Sequence, residues 1–248
     1  MKKMNLILAG LALMATTFAF QSCSNDDDDN YNIVYPNALV TVKPNADNSQ
    51  FYMQLDDSTT LVPTNMKTSP FGKKEVRALV NYSKSNKDAG HYSHAVFVNW
   101  LDSILTKPMA ENFNAEQNLK TYGSDAVEIV NDWVTIAEDG YLTLRFRTRW
   151  GNGTKHYVNL VRRTDANTPY LLTFYHDAKG DVNGRAGDAL VAFRLDELPD
   201  TEGKTVDLTL EWKSYSGTKT AKFKYCTRKA TNAQTRAVVT RATVQDIE

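Results

Sequence analysis

Two histidines in the first half of the chain have a spacing that can bring two imidazoles to one metal ion. His91 and His94 are separated by two residues, as in many zinc sites. They follow Gly90 in a predicted turn rather than on a helix, and no cysteine or carboxylate pair nearby completes a ligand set. Solvated loop histidines are the simpler interpretation, so the sequence predicts no metal site here.

A glycine-rich loop in the second half carries several oxygen ligands of the kind that calcium prefers. The spacing of an EF-hand and its terminal glutamate are both missing from this loop. Asp, Asn and Gly are also the ordinary residues of turns. We therefore predict a turn without a metal, while noting the four candidate ligands: Asp177, Asp181, Asn183 and Asp188.

Three arginines alternate along one predicted strand and form the candidate ligand-binding surface. Arg145, Arg147 and Arg149 would point to the same face of the strand at 141–150, since side chains alternate with a period of two. Guanidinium groups in a row can bind an anionic partner, such as a sugar acid or an acidic protein surface. The alternative is a solvated strand face whose arginines pair with acids on the next strand.

The four tryptophans allow a second kind of ligand, because aromatic rings stack on sugars and small β-barrels of the OB type bind oligosaccharides. For most of them a place in the core is the simpler interpretation. They lie within or next to predicted strands: Trp100, Trp133, Trp150 and Trp212.

The search for enzyme motifs is negative. The chain has no G-x-S-x-G elbow, no H-E-x-x-H, no phosphate-binding loop and no dinucleotide fingerprint. A carboxylate pair for glycoside hydrolysis converges only in space, and with 29 acidic residues the sequence cannot nominate one. No catalytic residue and no cofactor is therefore predicted.

The elements that would position these residues are almost all strands. Five strand-like segments with turn signals between them occupy the first half and predict a small closed barrel of the OB type: 38–42, 51–55, 59–62, 76–82 and 95–101. In the fourth segment Val76, Ala78 and Val80 share one face, and Arg77 and Asn81 the other.

The second half predicts an antiparallel β-sandwich, so the fold class is all-β, a small OB-like barrel followed by the sandwich. Its clearest segment is 141–150, in which Leu142, Leu144 and Phe146 share a face. We predict that this strand forms a hairpin with 156–161 across the Gly151–Gly153 turn. The other predicted strands, with the turn signals between them, are typical of a sandwich: 127–136, 170–176, 189–194, 206–212 and 218–227.

The N-terminus predicts export. Lys2 and Lys3 precede an apolar stretch at 6–20, which is too short to span a membrane and fits a secretory signal peptide. The stretch ends at Ser22 and Cys23, a small residue before a cysteine, which resembles a lipobox. The resemblance implies cleavage before Cys23 and acylation of that residue. The predicted partner is therefore a membrane, to which the chain is attached through the lipid anchor on Cys23.

Four aspartates at 26–29 follow this cysteine and predict a solvated tether. An acidic run there resembles the signal that sends Bacteroidetes lipoproteins to the cell surface, and implies an outer-membrane, surface-facing location. If Cys23 is acylated, Cys226 has no disulfide partner, and we interpret it as a buried strand thiol. The predicted organisation is 1–22 signal peptide, 23–36 lipidated cysteine and acidic tether, 37–118 OB-like domain, 119–229 β-sandwich and 230–248 disordered tail.

The chain resembles the NigD-like proteins of Bacteroidetes. The residues that carry the resemblance lie at 139–161, 189–199 and 208–225, together with the lipobox and the tether. The resemblance implies an N-terminal OB-like domain and a C-terminal β-sandwich, and a role in bacteriocin immunity suggested by the family's origin. It supplies no catalytic residue.

The balance of basic and acidic residues limits the classes of partner that the chain is expected to bind. The chain has 29 basic and 29 acidic residues, so no global positive field recruits nucleic acid. The leading hypothesis is a lipid-anchored, non-enzymatic binding or interaction protein of the outer membrane. Its unknown partner is a protein or a glycan, and bacteriocin immunity is one version of this hypothesis.

There are two alternatives. A glycan-binding accessory lipoprotein of an uptake system requires exposed coplanar aromatic side chains. An uncharacterised hydrolase requires convergent carboxylates or a His–acid pair in a cleft.

Overall fold

The structure is a computed structural model that describes residues 35–163 and 167–228. The predicted signal peptide, Cys23, nearly all of the predicted tether and the predicted tail at 230–248 lie outside these residues. No helix in the described ranges is long and apolar enough to cross a membrane.

The first five strands form a closed barrel, which confirms the barrel predicted from the sequence. Around the barrel their order is β1-β2-β3-β5-β4, and all pairs are antiparallel except β3 with β5. The interior is filled by the apolar face of each strand, including Val40, Met53 and Val80. The five strands are β1 (Ala38–Pro44), β2 (Phe51–Gln54), β3 (Thr60–Pro63), β4 (Val76–Lys84) and β5 (His94–Ser103).

The rest of the described chain forms a two-layer β-sandwich, which confirms the all-β fold class. In chain order its elements are β6 (Leu105–Lys107), α1 (Ala115–Tyr122), β7 (Glu128–Val130), β8 (Ile136–Glu138), β9 (Tyr141–Trp150), β10 (Tyr157–Arg162), β11 (Leu171–Asp177), β12 (Arg185–Arg194), β13 (Val206–Ser214) and β14 (Gly217–Tyr225). One sheet has the order β10-β11-β13-β14, and the other has the order β6-β12-β9-β7 with β8 also paired to β9. Most pairs are antiparallel, but β11 with β13 and β6 with β12 are parallel.

The predicted hairpin of 141–150 with 156–161 is wrong, because its two strands lie in opposite sheets. β9 pairs along its whole length with β12, whereas β10 pairs with β11. The link between them is an arch that crosses from one sheet to the other. Asp181 holds this arch, since its carboxylate accepts hydrogen bonds from the backbone N–H of Gly151 at 2.8 Å and of Asn152 at 3.1 Å. The apolar faces of β9 and β10 therefore meet across the core instead of side by side.

Two other segments differ from the prediction. The predicted strand at 127–136 is two short strands, β7 and β8, because a turn closes between them where Thr135 donates its N–H to the carbonyl of Asp132 at 3.1 Å. Strand β6 falls in the range assigned to the barrel domain, yet it pairs with β12 of the sandwich. Because β12 lies about 80 residues further along the chain, no local sequence signal indicates that β6 pairs with it.

The barrel packs directly on the sandwich. Leu39 and Ile104 of the barrel half form one buried cluster with Tyr141 and Ala192 of the sandwich. Beside it lies Arg77, whose side chain is completely buried. The sequence pattern placed Arg77 on the face of β4 opposite Val80, and in the structure this side chain contacts Thr143 of β9 and Glu138 of β8.

Cys226 differs from its predicted place inside a strand. It lies just after β14 and is half-buried. Its sulfur accepts a hydrogen bond from the hydroxyl of Thr201 at 3.6 Å, so it joins the end of β14 to the loop between β12 and β13.

Candidate functional site

A groove of about 660 Å³ lies between helix α1 and the outer face of the β10-β11-β13-β14 sheet. Segment 112–119 forms one wall, and the outward side chains of β11 and β13, together with Arg163 just after β10, form the floor. We call this the α1 groove. Its floor residues are Arg163, Thr173, Tyr175, Glu211 and Lys213, and its apolar rim is made by Phe113 and Leu119.

Local sequence explains why α1 forms here. Asn114 caps the helix, because its side-chain oxygen accepts the N–H of Gln117 at 2.9 Å. Lys120 pairs with Glu116 one turn earlier at 2.7 Å. The helix ends at Tyr122 and is capped by Gly123, which adopts a φ of 79°. A Cβ on Gly123 would lie 2.5 Å from the Cβ of Asp177, so only glycine allows the helix end to approach β11 this closely.

The buried side chain of Asn118 fixes the groove wall. Its oxygen accepts the N–H of Phe113 at 3.1 Å, and its amide donates to the side chain of Asn112 at 2.9 Å. This network orders the segment before the helix. It leaves the two apolar rim side chains exposed: Phe113 is 46% exposed and Leu119 is 50% exposed. Exposed apolar side chains at the rim of a polar cleft are typical of interaction sites.

Charges on the floor are of both signs. A guanidinium nitrogen of Arg163 lies 3.6 Å from a carboxylate oxygen of Glu211, and Lys213 lies on the same strand as Glu211. Asp125 at the end of the groove accepts the N–H of Ala178 at 2.8 Å. The groove therefore offers hydrogen-bond donors and acceptors along a floor, with apolar contacts at the rim, and suits an extended polar chain rather than a single ion.

The arginine ridge is paired with acids, as the alternative interpretation proposed. Asp188 on β12 accepts hydrogen bonds from Arg145 at 2.7 Å and from Arg147 at 3.0 Å. Arg145 also donates to Asp132 at 2.8 Å. These hydrogen bonds, the one from Arg147 first, lower the pKa of Asp188 below its usual value. Arg149 donates to the carbonyl of Gly184 at 3.2 Å, so a role of this ridge in anion binding stays a prediction.

The other singled-out residues do not meet in one site. The ring of His91 packs on Tyr92 with centroids 4.0 Å apart, and His94 begins β5 at the surface. Asp177 binds Lys179, Asp181 holds the arch and Asp188 binds the arginines, which separates the candidate calcium ligands. No group of three or more His, Cys, Asp or Glu within 35–163 and 167–228 could hold a metal ion.

The tryptophans divide between core and surface. Trp212 is buried in the sandwich core, and the half-buried Trp150 packs against that core and donates to the carbonyl of Gly187 at 3.2 Å. Trp100 is half-buried, while Trp133 is 53% exposed. No sequence signal marks the α1 groove, because its residues come from six separate segments and only the fold brings them together.

Comparison with known proteins assigns both halves of the chain. Residues 39–104 match the NigD-like N-terminal OB domain, and residues 109–225 match the NigD-like C-terminal beta sandwich domain. No curated protein matches the chain.

Several solved structures are similar. One, from Parabacteroides distasonis and described as toxin related, is 38% identical, with 76% of this chain and 92% of that chain covered and a TM-score of 0.65. A protein of unknown function from Bacteroides vulgatus is 22% identical, with 76% and 89% covered and a TM-score of 0.60. A NigD-like immunity protein from Bacteroides caccae is 20% identical, with 76% and 96% covered and a TM-score of 0.54. The last two likenesses are evidence of the shared fold.

Proposed function

The chain belongs to the NigD-like family, and from this premise we propose that it is a non-catalytic, envelope-anchored protein that binds a partner protein through the α1 groove. The observation that carries the proposal is the groove itself, with two exposed apolar side chains above a polar floor. The 38% identical relative described as toxin related supports a toxin as the partner. On this proposal the protein protects its own cell by holding the toxin.

The anchor is part of the proposal. Acylation of Cys23 would supply about 0.8 kcal/mol for each methylene buried in the membrane, and stable anchoring needs more than one chain. The signal-like stretch, Ser22 before Cys23, and the four aspartates that follow support an outer-membrane location with the folded domains facing outward. Such a location would place the α1 groove where a toxin from outside meets it first.

The experiment that tests this function is complementation of a deletion strain. Cells without the gene are challenged with bacteriocin preparations from related strains, and survival is compared after restoring each variant. We expect Leu119→Asp and Phe113→Asp to lose protection, since a charge on the rim removes the apolar contact. Val182→Asp is the matched control, because Val182 is also exposed and apolar but lies outside the groove. Equal protection by the rim variants and the control would reject the groove as the binding surface.

Glycan binding is the second candidate, and one observation favours it. The rings of Phe113 and Tyr122 are stacked at the edge of the groove, with centroids 6.2 Å apart and planes 20° apart. Tyr122 is next to Tyr175 on the floor, at 5.8 Å. Titration with envelope and dietary oligosaccharides separates the two candidates: saturable binding that Phe113→Ala abolishes would favour a glycan over a protein.

The hydrolase alternative has one arrangement to support it, the pair of His156 and Asp181, whose nearest atoms are 3.6 Å apart. In this pair Nε2 of the imidazole faces the carboxylate, while Nδ1 is hydrogen-bonded to His176 at 2.9 Å. A general base needs a free lone pair beside the substrate, and neither ring nitrogen offers one. A binding function therefore has the better support.

A further inference from the structure

The chain contains two Asn–Gly pairs, Asn152–Gly153 and Asn183–Gly184. In such a pair the backbone nitrogen of the glycine can attack the side-chain amide carbon of the asparagine, because glycine has no side chain to obstruct the approach. The two groups belong to adjacent residues, so the reaction is intramolecular and is favoured by their proximity. The fold places the two pairs in different surroundings, and these surroundings determine where the reaction occurs.

The first pair lies in the arch between β9 and β10 and is accessible to solvent. Asn152 and Gly153 are both exposed, and a Cβ on Gly153 would meet no atom within 4 Å. The backbone N–H of Gly153 makes no hydrogen bond within the described residues. Water can therefore remove the proton from this nitrogen, and no packed neighbour opposes its movement toward the asparagine side chain.

A hydrogen bond prepares the side chain of Asn152 for attack. Its Oδ1 accepts the backbone N–H of Thr154 at 2.9 Å, which is the hydrogen bond of an Asx turn. A donor on a carbonyl oxygen stabilises the negative charge that develops there when a nucleophile adds to the carbon. Thr154 therefore supplies such a donor to the amide of Asn152.

The second pair is held by the strand beside it. A Cβ on Gly184 would lie 1.7 Å from the carbonyl oxygen of Trp150 and 2.3 Å from Cα of Gly151, so the backbone of Gly184 packs tightly against the end of β9. The carbonyl of Gly184 also accepts a hydrogen bond from Arg149 at 3.2 Å. Within the described ranges no group donates to the side-chain oxygen of Asn183. Attack at Asn183 would need rotation of a packed backbone and would lack the polarising donor.

We propose that Asn152 is a site of spontaneous backbone modification, at which ring closure with Gly153 converts the asparagine to isoaspartate and aspartate. The nitrogen of Gly153 forms a bond to Cγ of Asn152, and the bond from Cγ to Nδ2 breaks. The proton of the attacking nitrogen passes through water to the departing amide group, which leaves as ammonia. Water then opens the succinimide ring. Opening at the backbone carbonyl leaves isoaspartate, and opening at Cγ leaves aspartate.

Isoaspartate changes the residue through which Asp181 holds the arch. Its free carboxylate is bonded directly to Cα of residue 152, and the backbone N–H on that same Cα donates to Asp181 at 3.1 Å. The carboxylate of Asp181 is 3% exposed, so solvent screens it poorly and the two negative charges repel. The modification therefore weakens the hold of Asp181 on the arch. The site is separate from the α1 groove, so this inference does not depend on the binding function proposed above.

Ageing of the purified full-length protein at neutral pH tests the proposal. Samples taken over time are digested with trypsin, which separates the two pairs into peptides 150–155 and 180–185. Mass and chromatographic retention then distinguish asparagine, aspartate and isoaspartate in each peptide, and a sample digested at the start corrects for reaction during digestion. We expect Asn152 to be converted about tenfold faster than Asn183, or more. In urea the two rates should become similar, because both pairs lose their surroundings.

Two results would overturn the proposal. One is conversion of Asn183 in the folded protein as fast as that of Asn152, which includes the case in which neither residue is converted. The other is a difference that persists unchanged in urea, because it would assign the selectivity to the flanking residues instead of the fold.

Two matched variants test the effect on the arch. Asn152→Ser keeps an oxygen that can accept the N–H of Thr154 but has no amide carbon, so ageing should not change its unfolding in urea. Asn183→Ser is the control and should age like the wild type, which gains a population that unfolds at lower urea concentration as isoaspartate accumulates. An equal loss of stability in aged Asn152→Ser would contradict the effect on the arch. Unfolding of fresh samples verifies folding, and the peptide measurement on the wild type needs neither variant.

Discussion

Arg77 in the barrel donates a hydrogen bond to Glu138 in the sandwich, across 3.2 Å. Two other donors of the same buried guanidinium reach Thr41 at 3.0 Å in the barrel and Thr143 at 3.3 Å in the sandwich. One side chain therefore holds both domains. A second pair crosses the same interface, since Lys43 binds the buried carboxylate of Asp139 at 2.8 Å.

This relationship predicts that the two domains unfold together. Arg77→Met leaves the half-buried Glu138 without its cation, and breaking a buried pair from one side costs about 3 kcal/mol or more. We expect that loss in the free energy of unfolding in urea, and separation of the single transition into two. Combining Arg77→Met with Glu138→Leu should recover part of the stability. Arg149→Met, at an exposed arginine, should cost less than about 0.5 kcal/mol. If Arg77→Met unfolds like the wild type, the interface is held by its apolar cluster alone.

His176 predicts a pH dependence of stability. Its pKa falls from an ordinary 6.5 to about 4 in the folded protein, so between these values the unfolded state binds more protons. Stability then decreases as the pH falls from 6.5 toward 4, by up to about 3 kcal/mol from this group, and the loss is complete below pH 4. Urea unfolding of His176→Phe at several pH values should show a smaller slope in this window. An unchanged slope in this variant, or a reduced slope in the control His94→Gln, would contradict the assignment.

Acylation of Cys23 predicts that the protein is released from the membrane when this residue is replaced. Cys23→Ala removes the acylated residue, so the protein should leave the membrane fraction and appear in the soluble envelope fraction. Labelling with palmitate should disappear in the same variant, with Cys226→Ala as the control that keeps it. Palmitate incorporation that persists in Cys23→Ala would place the anchor elsewhere. Protease treatment of intact cells tests surface exposure. Complete resistance would indicate that the folded domains face the periplasm.

The barrel was predictable because its signal is local. Each of its five strands has apolar residues on one face and turn residues at its ends, and the observed bounds differ from the predicted ones by a few residues at most. The inward face of β9, with Leu142, Leu144 and Phe146, was predictable for the same reason.

Pairing across the sandwich was not predictable from local patterns. A glycine-rich link fits both a hairpin and an arch, and the carboxylate that selects the arch, Asp181, lies about 30 residues away in the chain. The burial of Arg77 was not predictable either, because a single arginine on a strand face carries no local sign that a second domain covers that face. The α1 groove is assembled from distant segments, which a single sequence cannot align in space.

The most direct test of a partner at the α1 groove is photocrosslinking in living cells. A photoreactive amino acid replaces Leu119 on the groove rim or, as control, the exposed Lys73 in the barrel half. We predict one recurrent protein adduct from position 119, absent from position 73 and lost when Phe113→Asp is added. Identical adduct patterns at both positions, or an adduct unaffected by Phe113→Asp, would contradict the account.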